Sequence, residues 1–161
     1  MPGEEEIEVG EAIRSTRAEQ NAALVKRMFD VYSAHDFDTL RAEIFAPDVV
    51  WRVPGHHPLA GPKRGADELI AYFAQLAIAG FAPEVVAVVA NDDYVIDVHR
   101  GRGSVGDDAV DMLWVLLYKI VDGRIAEVDN FAGDQHAADA FFTKIWGPRL
   151  KPVPDRFIAQ E

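Results

Sequence analysis

An aspartate and a histidine stand two positions apart in the segment Tyr94–Arg100, Y-V-I-D-V-H-R. The apolar and β-branched residues of this segment predict a β-strand, in which positions i and i+2 point to the same face. Asp97 and His99 are therefore expected to be neighbours. A carboxylate beside an imidazole keeps one ring nitrogen protonated and leaves the other free to accept a proton, so the pair can act as a general acid or base. Alternatively, the two residues form a purely structural pair, or one of them faces solvent.

Two further histidines lie in the stretch Val49–Gly65, V-V-W-R-V-P-G-H-H-P-L-A-G-P-K-R-G. Either His56 and His57 reach a ligand, or the prolines and glycines around them only shape a turn in which both histidines are solvated. The five histidines of the chain show no H-x-x-x-H or H-x-H spacing, and there is no cysteine. The sequence therefore predicts no metal site and no cofactor, and it excludes disulfides and thiol nucleophiles.

Composition limits the classes of partner. The chain has 161 residues, enough for one domain, and 49% of them are hydrophobic. Its 27 acidic and 16 basic residues give a formal charge of -11, which disfavours binding to nucleic acid or to anionic lipid. No apolar run approaches membrane-spanning length, and the first residues, M-P-G-E-E-E-I-E, are unlike a secretory signal. We expect a soluble, cytoplasmic protein that binds neither nucleic acid nor a membrane.

The domain organisation follows from changes of composition along the chain. Residues 1–15 are expected to be a flexible acidic arm, and residues 148–161 a proline-rich tail. Between them, residues 16–147 are expected to form one domain. Thr16 and Glu19 match a capping box, which predicts that the first helix begins there.

The pattern of elements predicts an α+β fold. The order is helix, helix, strand, helix, a run of antiparallel strands and a last short helix. Asp122-Gly123 is the strongest hairpin signal in the strand region. A curved, mixed or antiparallel sheet wrapped around the N-terminal helices would form a cone that is open at one end. Helices are expected from Thr16, at 36–45, at 65–80 and from Asp134, and the first strand is expected at 49–53.

Four motifs, together with this order of elements, carry a resemblance to a known family. They are W-R-V-P-G-x-x-P-L-A-G-x-x-R-G at 51–65, A-N-D-D at 90–93, D-G-R-I-A-E at 122–127 and G-D-Q-x-A-x-D-x-F at 133–141. The chain resembles the SnoaL-like branch of the nuclear-transport-factor-two-like superfamily, whose fold ketosteroid isomerase and limonene epoxide hydrolase share. The resemblance implies a cystatin-like α+β barrel, a ligand site inside the cone and a homodimer formed through the β-sheet.

The resemblance and the strand alternation together predict the residues of the site. Asp97, His99 and Asn130 are expected to meet at one level of an apolar bowl, and they are the predicted catalytic residues. Apolar walls with a few polar groups are the usual plan for binding a small hydrophobic molecule. The predicted substrate-binding residues are Tyr32, Trp51, Val53, His57, Phe73, Met112, Trp114 and Leu116.

The chain departs from the catalytic sets of the relatives it resembles. Ketosteroid isomerase, a standard example, uses an aspartate base with an oxyanion hole; here Val53 stands at the position of the base. Limonene epoxide hydrolase uses an Asp-Arg-Asp set; the matching positions here read Asp97, His99 and Asn130, so the arginine and one carboxylate are lost. For the SnoaL-like cyclases the nearest late-strand carboxylate is Asp129, which strand alternation points outward.

These residues predict a cofactor-free isomerase, cyclase or hydrolase that acts by acid/base chemistry on a hydrophobic metabolite. His99 would be the acid/base, Asp97 would orient it, and Asn130 would polarise the ligand. Two alternatives remain open at this point. One is a non-catalytic binding module for a hydrophobic small molecule, and the other is a dimerisation domain with a filled core.

Overall fold

A computed structural model describes the backbone of residues 4–147 and the side chains of residues 16–147. The chain forms helices packed on one mixed β-sheet, which confirms the α+β prediction. A π-helical segment, Leu40–Ile44, follows the short helix Phe37–Thr39. The helices are α1 Glu4–Ser33, α2 Phe37–Thr39, α3 Gly65–Ile78 and α4 Gln135–Trp146, and the strands are β1 Phe45–Val53, β2 Gly61–Arg64, β3 Ala82–Ala90, β4 Tyr94–Val105, β5 Asp108–Val121 and β6 Arg124–Ala132.

The sheet has the strand order β2-β1-β6-β5-β4-β3. Neighbouring strands are antiparallel except for β1 and β6, which run parallel because the chain crosses the sheet between them. Three register irregularities, in the β1/β6, β3/β4 and β5/β6 pairs, add local bend and twist. Helices α1, α3 and α4 pack against this sheet and enclose the core with it.

Side-chain alternation gives the sheet one buried and one exposed face, as the pattern of the sequence predicts. On β5, Trp114, Leu116 and Tyr118 are buried, whereas Leu113, which directly precedes Trp114, is half exposed. The inward phase predicted for β5 is therefore confirmed.

Three predicted boundaries are wrong. Helix α1 begins at Glu4 and not at Thr16, the residue from which it was expected. The reason is that the segment before Thr16 is rich in glutamate, which has a high intrinsic helix propensity. The capping box at Thr16 does not reveal this propensity. Strand β1 begins at Phe45 and not at residue 49. The segment Gly61–Arg64, expected as loop, pairs with β1 as a short edge strand. The predicted tail, 148–161, lies outside the described residues.

The loop between β1 and β2 is held against helix α4. Asp139 accepts a hydrogen bond from the backbone N–H of His56 (3.0 Å), and Gln135 donates to the same carboxylate oxygen (2.9 Å). Gly55 has φ of +109°, and a Cβ there would collide with the side chains of Asp139 and Gln135. Only glycine therefore fits this close approach between loop and helix.

His57 is a buried neutral residue of the same loop. Its side chain stacks on Phe142 of α4 with ring centroids 4.6 Å apart, and the residue is 8% exposed. The N–H of Leu59 donates to Nδ1 (3.2 Å), so Nε2 carries the proton and donates to the carbonyl of Pro54 (3.1 Å). Burial lowers the pKa of His57 from 6.5 to about 4.

This shift predicts a dependence of stability on pH. Between pH 6.5 and 4 the unfolded chain binds a proton at His57 that the folded chain does not, so folding is stabilised above pH 6.5 and loses that stability as the pH falls towards 4. The protonation of His57 lowers the free energy of unfolding by about 3 kcal/mol over this pH range. Urea unfolding at several pH values measures this effect. We expect the stability of His57→Gln to fall less between pH 6.5 and 4 than the stability of the native chain does. The exposed neighbour provides the control, His56→Gln, which should behave as the native chain does. Equal pH dependence in His57→Gln and the native chain would contradict the assignment.

Candidate functional site

A cavity lies between the inner face of the sheet and the helices. It contains about 650 Å³ of space that protein atoms do not fill, part of which is open to solvent. Its wall is mostly aromatic and aliphatic, which suits a small hydrophobic ligand. The lining residues are Met28, Phe29, Tyr32, Trp51, Tyr72, Phe73, Leu76, Phe81, Pro83, His99, Gly101, Trp114, Leu116, Asn130 and Phe142.

A hydrogen-bonded row of three side chains stands at one side of this cavity. His99 Nδ1 lies 2.6 Å from Asp97 Oδ1, and the Tyr118 hydroxyl donates to Asp97 Oδ2, also at 2.6 Å. Asp97 and His99 share one face of β4, as predicted, and Tyr118 reaches them from β5. Both oxygens of the carboxylate are therefore engaged by donors.

Asp97 and Tyr118 of this row are buried, and burial determines how their charges behave. The exposure of Asp97 is 0%, so its charge is paired entirely by protein groups. Burial raises the pKa of Tyr118 well above its usual range, and the neighbouring Asp97 raises it further. The Tyr118 hydroxyl therefore keeps its proton and remains a donor to Asp97.

The imidazole of His99 forms part of the cavity wall, and one of its ring nitrogens is not used in the bond to Asp97. Because Nδ1 carries the proton that is donated to Asp97, Nε2 keeps a free lone pair. Within residues 16–147, no side-chain hydrogen bond occupies Nε2. Phe29 of α1 packs edge-on against the imidazole, with ring centroids 5.3 Å apart, and the His99 side chain is 13% exposed. The ring is thus held in one orientation at the cavity wall.

Asn130 lines the cavity but stands apart from this row. In the sheet register, Asp97 pairs with Leu116 and Leu116 pairs with Asn130, so the two polar residues lie at one level on either side of β5. Two strand spacings separate them by about 10 Å. No hydrogen bond among residues 16–147 joins Asn130 to Asp97 or His99. His99 pairs with Trp114, two residues away from this level, so the register places Asp97 and Asn130 at one level but does not bring the three predicted residues together.

Two polar atoms of the cavity region have no partner. Trp51 Nε1 and Asn130 Oδ1 are buried and make no hydrogen bond among the described residues. Trp114, the other tryptophan of the wall, differs from Trp51 because its Nε1 donates to the carbonyl of Gly101 at 3.4 Å. Most buried polar groups are paired in native proteins, so each exception calls for a reason.

The structure separates the predicted substrate-binding residues into two groups. Val53, His57 and Met112 do not belong to the lining. Val53 is buried at the end of β1, His57 lies behind Phe142, and Met112 is a partly buried residue that packs against the core. The predicted residues that do line the cavity are Tyr32, Trp51, Phe73, Trp114 and Leu116.

Sequence reasoning missed several residues that shape the site. Leu76 follows Phe73 at helical spacing on α3, and Phe142 stands beside another apolar residue on α4, so a helical pattern of apolar residues could have found both. Tyr118 shares its strand face with Trp114, but no local pattern indicates that it bonds to Asp97. Phe81 lies between α3 and β3, where no periodicity applies, and its carbonyl accepts a hydrogen bond from the Tyr32 hydroxyl at 3.2 Å.

Neither metal-binding clusters nor membrane spans occur in the part of the chain that the structure describes. No three His, Asp or Glu side chains there are arranged to hold a metal ion. No helix in that part is sufficiently long and apolar to span a bilayer.

Comparisons with known proteins agree with this geometry. The family model of the SnoaL-like domain matches residues 25–128. A Mycobacterium tuberculosis H37Rv protein, Rv0034, is 35% identical over 123 residues, which cover 74% of this chain and 93% of its own length. Bal32a, from a soil-derived mobile gene cassette, is 28% identical with a TM-score of 0.75, and the match covers 78% of this chain and 98% of Bal32a.

A Xanthomonas campestris protein with a cystatin-like fold is 28% identical with a TM-score of 0.69, and the match covers 76% of this chain and 97% of that protein. Bal32a and the Xanthomonas protein share the fold described above. With its helices, mixed sheet and inner cavity, the chain belongs to the SnoaL-like domain family.

Proposed function

We propose that this protein is a cofactor-free enzyme that moves protons on a small hydrophobic molecule, with His99 as the general base. One observation carries the proposal: a fully buried Asp97 holds His99 Nδ1–H at 2.6 Å while the imidazole forms part of the cavity wall. A base in this arrangement has a defined tautomer and a defined direction of attack.

The reaction follows from the geometry. Nε2 of His99 takes a proton from an acidic C–H or O–H group of the ligand, and the bonding electrons remain on the ligand as an enolate or alkoxide. The imidazolium that forms is stabilised by the Asp97 carboxylate, which Tyr118 supports from its other side. His99 then returns the proton at a second position. The overall change is an isomerisation, or a cyclisation if the carbanion attacks a carbonyl group of the same molecule.

The composition of the wall favours these reactions over hydrolysis. Among the described residues that line the cavity, none is Asp or Glu. Opening an epoxide with water needs an acid at the leaving oxygen as well as a base for the water. An apolar wall also excludes water and strengthens the interaction between Asp97 and the imidazolium.

We predict that His99→Ala abolishes proton abstraction and leaves binding largely intact. The assay is deuterium exchange at the activated CH₂ group of 2-tetralone in D₂O, followed by NMR, because enolisation needs only the base. The exchange rate should fall by about 100-fold or more, since this is the usual contribution of a positioned general base. The affinity for 2-tetralone should change by less than about threefold.

The control is His136→Ala, an exposed histidine on α4, which should exchange at the native rate. If the native chain binds 2-tetralone but exchanges its protons no faster than buffer does, the protein is a binding module for this compound and the catalytic proposal fails.

We also predict that Asp97→Asn slows exchange by about 100-fold. The amide has no charge to stabilise the imidazolium, and it offers one acceptor oxygen where the carboxylate offers one to His99 and one to Tyr118. A second readout is the ¹⁵N NMR spectrum of the His99 ring, in which the Nδ1–H signal should shift because its hydrogen bond to a carboxylate is lost. The exposed Asp48 supplies the control, Asp48→Asn. An unchanged Nδ1–H signal of His99 in Asp97→Asn would show that the two residues are not coupled.

We further propose that two copies associate through the outer face of the sheet. This face carries exposed apolar side chains on neighbouring strands, with Leu113 50% and Phe131 53% exposed. Val98, Val115 and Phe131 follow one another across β4, β5 and β6 in the sheet register. Contiguous exposed apolar surface of this kind is typical of an interface between proteins.

We predict that the double variant Leu113→Glu/Phe131→Glu is a monomer by light scattering at concentrations where the native chain is a dimer. Two carboxylates per copy would have to be desolvated in the interface, which is unfavourable. Ile78→Glu replaces an equally exposed apolar residue at the end of α3, away from the sheet, and should remain dimeric. A native chain that runs as a monomer would remove the proposal.

A further inference from the structure

His57 is a buried titratable group that the proposed reaction does not use. It lies in the loop between β1 and β2, residues 54–60, and is 8% exposed. Its ring stacks on Phe142 of α4, with centroids 4.6 Å apart and the ring planes inclined by 29°. Phe142 itself forms part of the cavity wall. The imidazole therefore covers one side of a residue that borders the cavity.

The neutral form of His57 has a hydrogen-bond partner at each ring nitrogen. Its Nε2–H donates to the carbonyl of Pro54 (3.1 Å), and Nδ1 accepts from the backbone N–H of Leu59 (3.2 Å). The backbone carbonyl of His57 also accepts from the N–H of Ala60 (2.9 Å). These three bonds close the loop on itself around the imidazole.

A second proton on the ring is incompatible with this arrangement. Nδ1 would then carry a hydrogen that points at the N–H of Leu59, so two donors would face each other at 3.2 Å. The N–H of Leu59, a residue 6% exposed, would lose its acceptor, and a positive charge would be buried. Both changes are unfavourable inside a protein. Protonation therefore favours a state in which the imidazole has left this position and is hydrated.

The charged groups around His57 come from its own loop, from β2 and from α4. Asp139 of α4 favours the protonated ring, whereas Lys63 of β2 and the neighbouring His56 oppose it. Burial outweighs them and lowers the pKa of His57 from 6.5 to about 4. An imidazole that has moved into water regains its ordinary pKa. The closed loop is thus fully stable above pH 6.5 and is weakened progressively as the pH falls towards 4.

The attachment of the loop to α4 is narrow. Among the described side chains, a single hydrogen bond joins the two, from the N–H of His56 to Asp139 (3.0 Å). The other contacts are the stack of His57 on Phe142 and the close approach of Gly55 to the Asp139 side chain. Loss of the stack leaves the loop attached to α4 mainly by that one hydrogen bond, so the loop can open locally while the sheet remains folded.

We propose that protonation of His57 releases the β1–β2 loop from α4 and uncovers Phe142, so that the wall of the cavity loosens in acid. The loop is then an acid-sensitive latch on the wall. The release itself does not depend on the proposed function, whereas its effect on a ligand does.

Hydrogen exchange of single amides, followed by NMR at about pH 7.5 and about pH 4.5, measures the opening without any ligand. The N–H groups of His56, Leu59 and Ala60 are hydrogen-bonded while the loop is closed. Their protection factors, corrected for intrinsic exchange at each pH, should fall by about 70-fold between the two conditions, given the two pKa values of His57. A fall of less than about 10-fold would overturn the proposal.

The amides of Leu116 and Tyr118 on the central strand β5 show whether the opening is local. Their exchange requires the sheet to unfold, and low concentrations of urea accelerate it because unfolding exposes much surface. The loop amides should exchange faster than these amides at both pH values and should hardly respond to the urea. Equal protection of loop and strand, with an equal response to urea, would show that the loop opens only when the whole domain unfolds and would contradict the latch.

His57→Gln tests the residue, because glutamine carries one donor group and one acceptor, as the neutral imidazole does, but takes up no proton. The protection of its loop amides should change by less than about threefold between the two pH values. His56→Gln is the matched control, since it removes an exposed imidazole from the same loop and should retain the native change. A native change in His57→Gln would assign the titration to another group and overturn the proposal.

Gly55→Ala should open the latch at both pH values. A Cβ at this position would collide with Asp139 and crowd the His57 ring, and a φ of +109° is unfavourable for alanine. The loop amides should then be weakly protected already at about pH 7.5, while the β5 amides show that the variant is folded. Native protection of the loop in Gly55→Ala would show that contact with α4 does not close it.

A ligand in the cavity should leave faster when the wall is loose. Dissociation of 2-tetralone, measured by stopped-flow fluorescence on dilution, should accelerate by about 10-fold or more from pH 7.5 to pH 4.5 in the native chain but not in His57→Gln. Equal rates in the native chain would show that the latch does not control the cavity.

These readouts keep the latch separate from the proposed function. If 2-tetralone does not bind at either pH, the proposed function fails and the amide exchange alone decides the latch. If the loop amides do not respond to pH while proton exchange of 2-tetralone depends on His99, the latch fails and the proposed function stands.

Discussion

The site depends on one buried negative charge. Asp97 lies on the inner face of β4 with no exposure to solvent, in a position where an unpaired carboxylate would strongly destabilise the fold. Two donors prevent this, the Nδ1–H of His99 and the hydroxyl of Tyr118, both at 2.6 Å. These two hydrogen bonds hold the carboxylate, the imidazole and the phenol in fixed positions relative to one another. Nε2 is then the ring nitrogen of His99 that is not used in this row.

Because side chains alternate along each strand, the two faces of the sheet have different roles. The inner face supplies the cavity wall and the Asp97–His99–Tyr118 row. The outer face supplies exposed apolar residues at its centre and ion pairs around them, such as Arg52 with Glu127 and Arg100 with Asp111. Because successive residues alternate between the faces, one strand such as β4 contributes at once to the cavity and to the outer surface.

The aromatic packing of the helices completes the cavity. Phe29 on α1 orients the His99 ring, and Phe142 on α4 forms part of the wall while His57 stacks on its other side. The loop that carries His57 is tied to α4 through Asp139. The loop between β1 and β2 thus supports the wall from behind, and the imidazole of His57 stays neutral because burial lowers its pKa to about 4.

The sequence by itself determined the features that depend on local geometry. The i and i+2 spacing made Asp97 and His99 neighbours wherever β4 lay, and alternation assigned Trp114 and Leu116 to the inner face. Only the tertiary structure decided which strands pair and in what register. That register brought Tyr118 to Asp97, placed β5 between Asp97 and Asn130, and put β1 beside β6 in parallel. Such contacts join residues far apart in the chain, and no local periodicity encodes them, because pairing depends on how the whole sheet and its helices pack.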